Sequence, residues 1–272
     1  MGLRVNTNVS SLAAQRNLSR VTDRLVRNYS RLSSGLRIAT AADDAAGLAV
    51  SERMRAQIKS LGVASRNAQD GISLVQTAEG AMNEVSNILS RMRELAVSAS
   101  NGTLSSADRS TLDTEFTALA DEIGRISSTT EFNDVSLLDG SSSSLDIQVG
   151  TESGQTISIS LQDASASSLG LSSLSLSSAS GASSALASID TAINTITTAR
   201  GNLGASQNRL QSSLNSILNY RENLSGAESR IRDVDMAWET ADLTRNSILQ
   251  QAATSVLAQS NLQPQLALNL LG

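Results

Sequence analysis

Eight large apolar residues stand seven apart through the second half of the chain: Ile189, Ile196, Leu203, Leu210, Ile217, Leu224, Ile231 and Trp238. The residues three further on, Ala192, Ala199, Ser206, Ser213, Tyr220, Ala227 and Val234, are mostly small. Large and small knobs therefore alternate along one helical seam, and the frame breaks after Trp238. At about 1.5 Å per residue this segment spans roughly 75 Å, which predicts an elongated molecule. A second seam in the first half sets Leu61, Ala68, Val75, Met82, Leu89 and Ala96 beside Ala64, Gly71, Ala78, Val85, Met92 and Ala99. Two seams of one period can bury each other. The expected fold is mainly α, a long antiparallel coiled-coil or helical-bundle rod, with Leu61, Val75, Met82, Leu89, Leu203, Leu210, Ile217, Leu224 and Ile231 as the rod seam. Shorter amphipathic helices in a compact bundle also show this spacing; the length of the runs without a proline argues against them.

The rest of the pattern divides around these seams. An amphipathic helix is predicted up to about residue 34, with Leu18, Leu25 and Leu32 at sevenfold spacing and Val21 and Tyr29 between them. It ends at Ser33-Ser34-Gly35, and a connector runs from Leu36 to Gly47. The first long helix, from about 45 to 100, stops at Asn101-Gly102. Ser105 and Asp108 form a capping-box signature for a third helix with Leu112, Phe116, Leu119, Ile123 and Ile126 on one face. Between 131 and 163 the period shortens to two: Leu145, Ile147 and Val149, then Ile157, Ile159 and Leu161, flank a turn at 151–155. This small β-hairpin is the one clear β element expected. Residues 164–184, rich in Ser, Ala, Leu and Gly, read as an exposed tip. A last helix is predicted from about 239 to 262, with Leu249, Ala253, Val256 and Leu257 on one side, Pro264 ending it, and a hinge at Asp233 and Asp235 before it.

Composition narrows the chemistry. Aromatic residues make up 2% of the 272 residues, too few for a thick core. There is no cysteine and no histidine, which removes Ser-His and Cys-His pairs and the usual zinc ligand sets. The candidate catalysts left are carboxylates, arginines, Lys59, tyrosines and hydroxyls, in no convergent arrangement, so enzyme activity, cofactor and metal are not expected; a carboxylate-dependent enzyme on a helical scaffold would need a convergent acid pair. Asp43 and Asp44 are adjacent and point apart on regular backbone, so they are assigned to structure. A net charge of -5 with dispersed arginines predicts no nucleic-acid partner. The apolar runs are too short to span a membrane, and Met1-Gly2-Leu3-Arg4-Val5-Asn6 lacks the regions of a cleaved secretory signal. Asn6 stands where N-myristoylation at Gly2 wants Ser or Thr.

The ends carry a further expectation. Ordering the first 35 or so residues costs more than burying their large apolar side chains returns. Pairing with the C-terminal helix still leaves one face apolar. Both termini are therefore expected to be disordered in the free chain and to become helical when neighbouring molecules complete their burial.

Several passages at the two ends resemble bacterial flagellin. They are Val5-Asn6-Thr7-Asn8, Arg31-Leu32-Ser33-Ser34-Gly35-Leu36-Arg37-Ile38, Asp43-Asp44-Ala45-Ala46-Gly47, Ser65-Arg66-Asn67-Ala68-Gln69-Asp70-Gly71, Arg93-Glu94-Leu95-Ala96-Val97, Phe132-Asn133, Ser229-Arg230-Ile231-Arg232-Asp233 and the run from Ile248 to Gln259. The resemblance covers about residues 1–140 and 185–272, with a middle much shorter than in flagellins that carry outer domains. It implies a structural subunit polymerising with other flagellin subunits into an extracellular filament for motility. The chain would be exported unfolded through the flagellar type III secretion channel without a cleaved signal peptide. A flagellar export chaperone and filament cap and hook-junction proteins would be its partners; a hook-filament junction protein is the alternative. In this reading residues 1–44, with the connector, and 239–272 form the inner filament-core domain, whose terminal helices pair as an inner coiled coil and whose filament-core packing residues are Leu18, Val21, Leu25, Leu32, Leu249, Val256 and Leu257, and 45–238 form the rod. The resemblance also implies a surface for a flagellin-sensing Toll-like receptor at Arg91, Leu95 and Glu115, although Ser90 and Met92 depart from the common pattern. It further implies a sensor tail for cytosolic receptors at Leu268, Leu270 and Leu271, and O-linked sugars on serines 141–144 and 172–184.

Overall fold

The computed structural model describes residues 7–269, with side chains as far as Leu262. In chain order the elements are α1 (Val9–Ser34), α2 (Ala45–Ala99), α3 (Ser106–Thr129), β1 (Glu131–Phe132), β2 (Val135–Ser136), β3 (Ser144–Gln148), β4 (Thr156–Ser160), α4 (Ala179–Arg232) and α5 (Met236–Asn269). The protein is mainly α, as the two seams predict. It divides into two compact units. One comprises the described parts of Met1–Ala56 and Asn223–Gly272, the other Gln57–Glu222. Both boundaries fall inside long helices, some way from residues 44 and 238 where the sequence pattern changes.

The Gln57–Glu222 unit is built on the two seams. Leu61, Ala68, Val75, Met82, Leu89 and Ala96 are all buried, as are Ile189, Ile196, Leu203, Leu210 and Ile217. From Leu74 to Leu210 they belong to one continuous core with Phe116 and Ile123 of α3. Arg93 of α2 meets Asp190 of α4 at 2.7 Å, and a Cβ on Gly71 would lie 3.3 Å from Leu210. Contact positions that rise along one helix as they fall along the other mark the two as antiparallel. Gly71 is glycine for a packing reason: the same Cβ would also sit 3.2 Å from Ile147 of β3, so the absent side chain lets strand and both helices close together.

Local signals set the ends of α3 and the hairpin. Ser105 accepts from the Asp108 backbone N–H, while the Asp108 carboxylate accepts from the Ser105 N–H at 3.0 Å, the reciprocal capping box. Strands β3 and β4 pair antiparallel with Leu145 opposite Ile159 and Ile147 opposite Ile157, and the buried Ile157 and Ile159 face the helical core. A second hairpin, β1–β2, was not expected. Its turn residues Asn133 and Asp134 have φ of 52° and 61°, the positive values that a type I′ turn demands and that Asn and Asp tolerate. Two-residue strands carry too short an alternation to stand out in sequence.

Residues 164–184 are not the exposed tip their composition suggests. Ala164, Leu169, Leu171, Leu176 and Ala182 are buried in the core. The Asp113 carboxylate of α3 accepts from the Leu176 N–H at 2.5 Å and the Ser175 hydroxyl at 3.3 Å, pinning the segment down. Leucines interleaved with serines let an irregular chain bury one side and leave the serines in solvent. Along the rod seam burial weakens toward the end, with Leu224 and Ile231 half-buried.

In the other unit Trp238 does not continue the seam of α4. That helix ends at Arg232, and Asp235 restarts the chain by accepting from the N–H groups of Ala237 and Trp238 at 2.9 and 3.1 Å. The acidic pair thus marks the break, as expected, because an aspartate is a good N-cap. Pro264 does not end the last helix, which runs to Asn269. A proline removes one intrahelical hydrogen bond and crowds the preceding turn, which disfavours a helix without forbidding it. Met82→Ala, at a fully buried position of α2, should destabilise the Gln57–Glu222 unit by about 2–5 kcal/mol, read as a lowered denaturant midpoint; an unchanged midpoint would show that this seam is not the core.

Candidate functional site

Helices α1 and α5 pack against each other, and their facing residues follow a seam with alternating steps of three and four. On α1 it runs through Ser11, Ala14, Leu18, Val21, Leu25, Asn28 and Leu32, all buried or half-buried. On α5 it runs through Glu239, Leu243, Asn246, Gln250, Ala253, Leu257 and Ser260, again buried or half-buried. Of the expected filament-core residues, Leu18, Val21, Leu25, Leu32 and Leu257 lie in this seam, while Leu249 and Val256 are exposed outside it. At about 100° per residue, positions 249, 253, 256 and 257 share one arc roughly 100° wide, and packing centres the seam on its Ala253–Leu257 side, leaving Leu249 and Val256 at the far edge.

Polar groups close the pair at both ends. Asn8 caps α1 by accepting from the Ser11 N–H and donates to the Ser260 carbonyl at 2.7 Å. Ser11 donates to Asn261 at 2.7 Å. At the opposite end the seam is crossed by Asn28, Glu239, Asp242 and Asn246. Asn28 Nδ2 donates to Glu239 at 2.5 Å and Asp242 at 3.2 Å, and Asn246 Nδ2 donates to Asn28 Oδ1 and to Asp242, both at 2.9 Å. Asn28, Glu239 and Asn246 are at most 4% exposed. Sequence reading passed over this network, although Asn28 falls seven residues after Val21 and so sits visibly in the apolar frame.

The chain leaving α1 turns at Gly35, in the left-handed region at φ 72°, and its N–H reaches back to the Arg31 carbonyl. It then runs against the end of α4: Arg37 N–H donates to the Arg232 carbonyl at 2.7 Å, and Val234 N–H to the Gly35 carbonyl at 3.0 Å. Arg232 binds Glu52 at 2.6 Å, which holds the Glu52 carboxyl below its ordinary value. Asp43 accepts from the Thr40 and Ala39 N–H groups, and the first of these holds its carboxyl down most. Asp44 accepts from the Gly47 N–H at the start of α2. Both aspartates are thus occupied with backbone, the structural role expected of them. A cleft of about 540 Å³ opens here between Arg31, Arg37, Asp43, Asp44 and Trp238. Among the described residues no group of His, Cys, Asp and Glu is arranged to hold a metal, and no helix is long and apolar enough to cross a membrane.

Outside its seam the helix pair also exposes large apolar side chains among its polar ones. Val9, Leu12, Val26 and Tyr29 of α1 and Met236, Trp238, Ile248, Leu249, Val256 and Leu262 of α5 are exposed, Trp238 and Tyr29 by 63% and 61%. In the other unit Arg91 bonds Glu94 at 2.9 Å and Glu115 through both Nε and Nη2, and these carboxylates raise its pKa, Glu94 foremost. Leu95 does not join Arg91 and Glu115 at the surface; its side chain is 3% exposed and belongs to the core. Serines 141, 143 and 144, and most serines of 172–184, are exposed, while Ser142 is half-buried. Leu270 and Leu271 of the leucine-rich tail lie outside the described residues, and Leu268 is described only as backbone within α5.

A helical pair with a satisfied inner seam and an apolar exterior defines a protein built to pack against other helices rather than to turn over a substrate. Residues 5–143 match the bacterial flagellin N-terminal helical region, and residues 186–271 match the bacterial flagellin C-terminal helical region. The chain is 48% identical over 269 residues to a flagellin of Halalkalibacterium halodurans, covering 98% of this chain and 99% of that one. It is 44% identical to a flagellin of Bacillus subtilis, covering 99% and 100%. The crystal structure of Bacillus cereus flagellin superposes with a TM-score of 0.52 at 38% identity, over 56% of this chain and 88% of that one. A hook-associated protein structure from Vibrio parahaemolyticus aligns with a TM-score of 0.59 at 16% identity, over 70% of this chain and 100% of that one, which shows the fold alone. The chain belongs to the bacterial flagellin family, as a structural subunit of the flagellar filament that serves motility and not as an enzyme; the hook-junction alternative is not favoured.

The Glu52–Arg232 bond makes a pH prediction. A carboxyl held below its ordinary 4.5 in the folded chain contributes fully above that value and loses its contribution as pH falls through its lower folded value. Hydrogen-exchange protection around Arg232 should therefore fall with acidification below pH 4.5, and Glu52→Gln should flatten that response except for the part due to Asp43, whose ordinary value of 3.8 is also lowered.

Proposed function

We propose that the paired terminal helices α1 and α5 are the polymerisation element, forming the innermost layer of the filament around a central channel, and that they acquire their paired form as the subunit docks on neighbouring copies. The observation that carries this reading is the apolar content of the pair's exterior: ten large apolar side chains, from Val9 to Leu262, lie exposed outside a seam that is already filled. Exposing this many large apolar side chains on one helix pair is costly in water and is the usual mark of a packing surface. A two-helix pair has no third helix to cover it, so identical neighbours are the natural source. The same liability before assembly supports export of an unfolded chain through the flagellar secretion channel, a chaperone that covers the C-terminal segment, and cap and hook-junction proteins that offer matching helices at the filament's two ends. The leucine-rich tail through Leu268, Leu270 and Leu271 is the candidate segment for recognition by a cytosolic sensor. The exposed serines of 141–144 and 172–184 are candidate sites for O-linked sugars.

Ile248→Asp with Val256→Asp places two carboxylates in the exterior of α5 without touching its seam. Elongation of filament fragments by the purified chain should then require about thirtyfold more subunit or cease, the loss of one strong interface anchor of about 2 kcal/mol or more. Unaltered elongation, followed by electron microscopy, would overturn the reading.

The Arg91–Glu94–Glu115 cluster is proposed as the polar part of a surface for the flagellin-sensing Toll-like receptor, with Leu95 supporting it from inside. An exposed arginine held in place by two carboxylates is preorganised for a protein contact. Arg91→Ala should weaken receptor binding by about tenfold, measured by surface plasmon resonance on the soluble chain, with the Gln57–Glu222 unit as stable as before. Unchanged binding would remove Arg91 from that surface.

A further inference from the structure

We propose that Asn28 and Asn246 determine the register in which the terminal helices pair. The rest of the α1 seam cannot do this. Ala14 and Val21, and Leu18 and Leu25, repeat every seven residues, so a slip of one heptad presents the same apolar face to α5. The two asparagines break that degeneracy. Both are almost completely buried, and they bond each other across the seam at 2.9 Å. The Asn28 amide is also held by Glu239 and Asp242, and the Asn246 amide by Asp242.

In the observed register both amide nitrogens donate twice within the network, and the Asn28 oxygen accepts from Asn246. Moved by seven residues so that Asn246 lies opposite Val21, the same side chain would be buried with no partner on α1. An unmet buried amide is penalised far more than a met one is rewarded. A polar group at one seam position therefore specifies alignment at some expense of stability, the best-attested use of buried polar residues between helices. The polar closures at the far end, Asn8 to Ser260 and Ser11 to Asn261, are less buried and follow the register rather than dictate it. Correct pairing presents the exterior of α1 and α5 in one fixed relation. That consequence for assembly rests on the polymerisation reading above; the register assignment does not.

The chain has no cysteine of its own, so disulfide trapping reports register directly. Ser11→Cys with Asn261→Cys joins positions that touch in the observed register; Ser11→Cys with Thr254→Cys joins them only after a slip of one heptad. Each pair is oxidised in the full-length chain, free and added to filament seeds. With both asparagines present, only the first pair should crosslink. With Asn28→Leu and Asn246→Leu together, the slipped crosslink should rise by about fivefold or more, because the direct Asn28–Asn246 bond across the seam is then gone. With Asn28→Leu alone, Asn246 is stranded and the in-register crosslink should fall. If the double variant crosslinks only in register, the proposal is overturned. Seed elongation by the parent chain tests the polymerisation reading separately, since register is read from the crosslink whether or not the chain elongates.

Discussion

A stripe of apolar residues repeating every seven positions can be buried only by another helix, and the two units differ in how many helices the chain provides. Around the seams of α2 and α4 it provides enough: each covers the other, α3 closes a further side with Phe116 and Ile123, and the β3–β4 hairpin and the leucines of 164–184 fill the remainder. Around α1 and α5 it provides one helix each. Every residue of the pair that points at the partner is buried or half-buried, and large apolar residues remain outside. The same sequence rule thus yields a self-sufficient core in one unit and an incomplete one in the other. In the incomplete unit, covering the exterior falls to other molecules.

Charge does little to alter that balance. The ion pairs Arg91–Glu94, Arg91–Glu115, Arg93–Asp190 and Arg125–Glu122 lie between exposed side chains. Such pairs are screened by water and salt and contribute little to stability. Arg232 is different, being largely buried and bonded to Glu52 beside the backbone contacts that join the α1–α2 connector to the end of α4. There the guanidinium fixes a chain crossing rather than a helix face. The network of Asn28, Glu239, Asp242 and Asn246 belongs to the same kind, polar groups whose burial restricts the arrangements a seam can take.

Where local chemistry decides, sequence and structure agree. The sevenfold seams, the Ser105–Asp108 capping box, the β3–β4 hairpin and the break at Asp233–Asp235 each depend on residues near one another in the chain. Where a distant neighbour decides, sequence reading falls short. Leu171 and Leu176 are indistinguishable from loop leucines until Asp113 of α3 binds the segment. Leu95 looks as available as Arg91 because the two are four apart, yet packing turns its side chain into the core. Leu249 and Val256 match the apolar pattern of α5 equally well whether they face α1 or solvent, and only the partner helix resolves them. Trp238 kept the sevenfold count by coincidence, since Asp235 begins a new helix before it. The functional element was legible as an unbalanced apolar content at the ends; its inner polar network was not, because an asparagine in a heptad frame says nothing of what lies opposite.

The sparse aromatic residues point the same way as the unfilled helix pair. Of one tryptophan, two tyrosines and two phenylalanines, Phe116 is buried and Phe132 is packed against the core, while Tyr29, Tyr220 and Trp238 stand exposed. A chain short of aromatics would be expected to spend them inside, where each covers the most apolar area. This one closes its core with Leu, Ile, Val, Met and Ala, whose smaller volumes suit closely approaching helices such as those at Gly71, and leaves its largest rings in solvent. Aromatic residues are enriched where proteins meet proteins, because a rigid ring buries much surface at small entropic expense. Two of the three exposed rings, Tyr29 and Trp238, lie on the helix pair, whose other exposed large apolar residues are Val, Leu, Ile and Met. Their placement supports the proposal that the exterior of this pair is a contact surface between subunits.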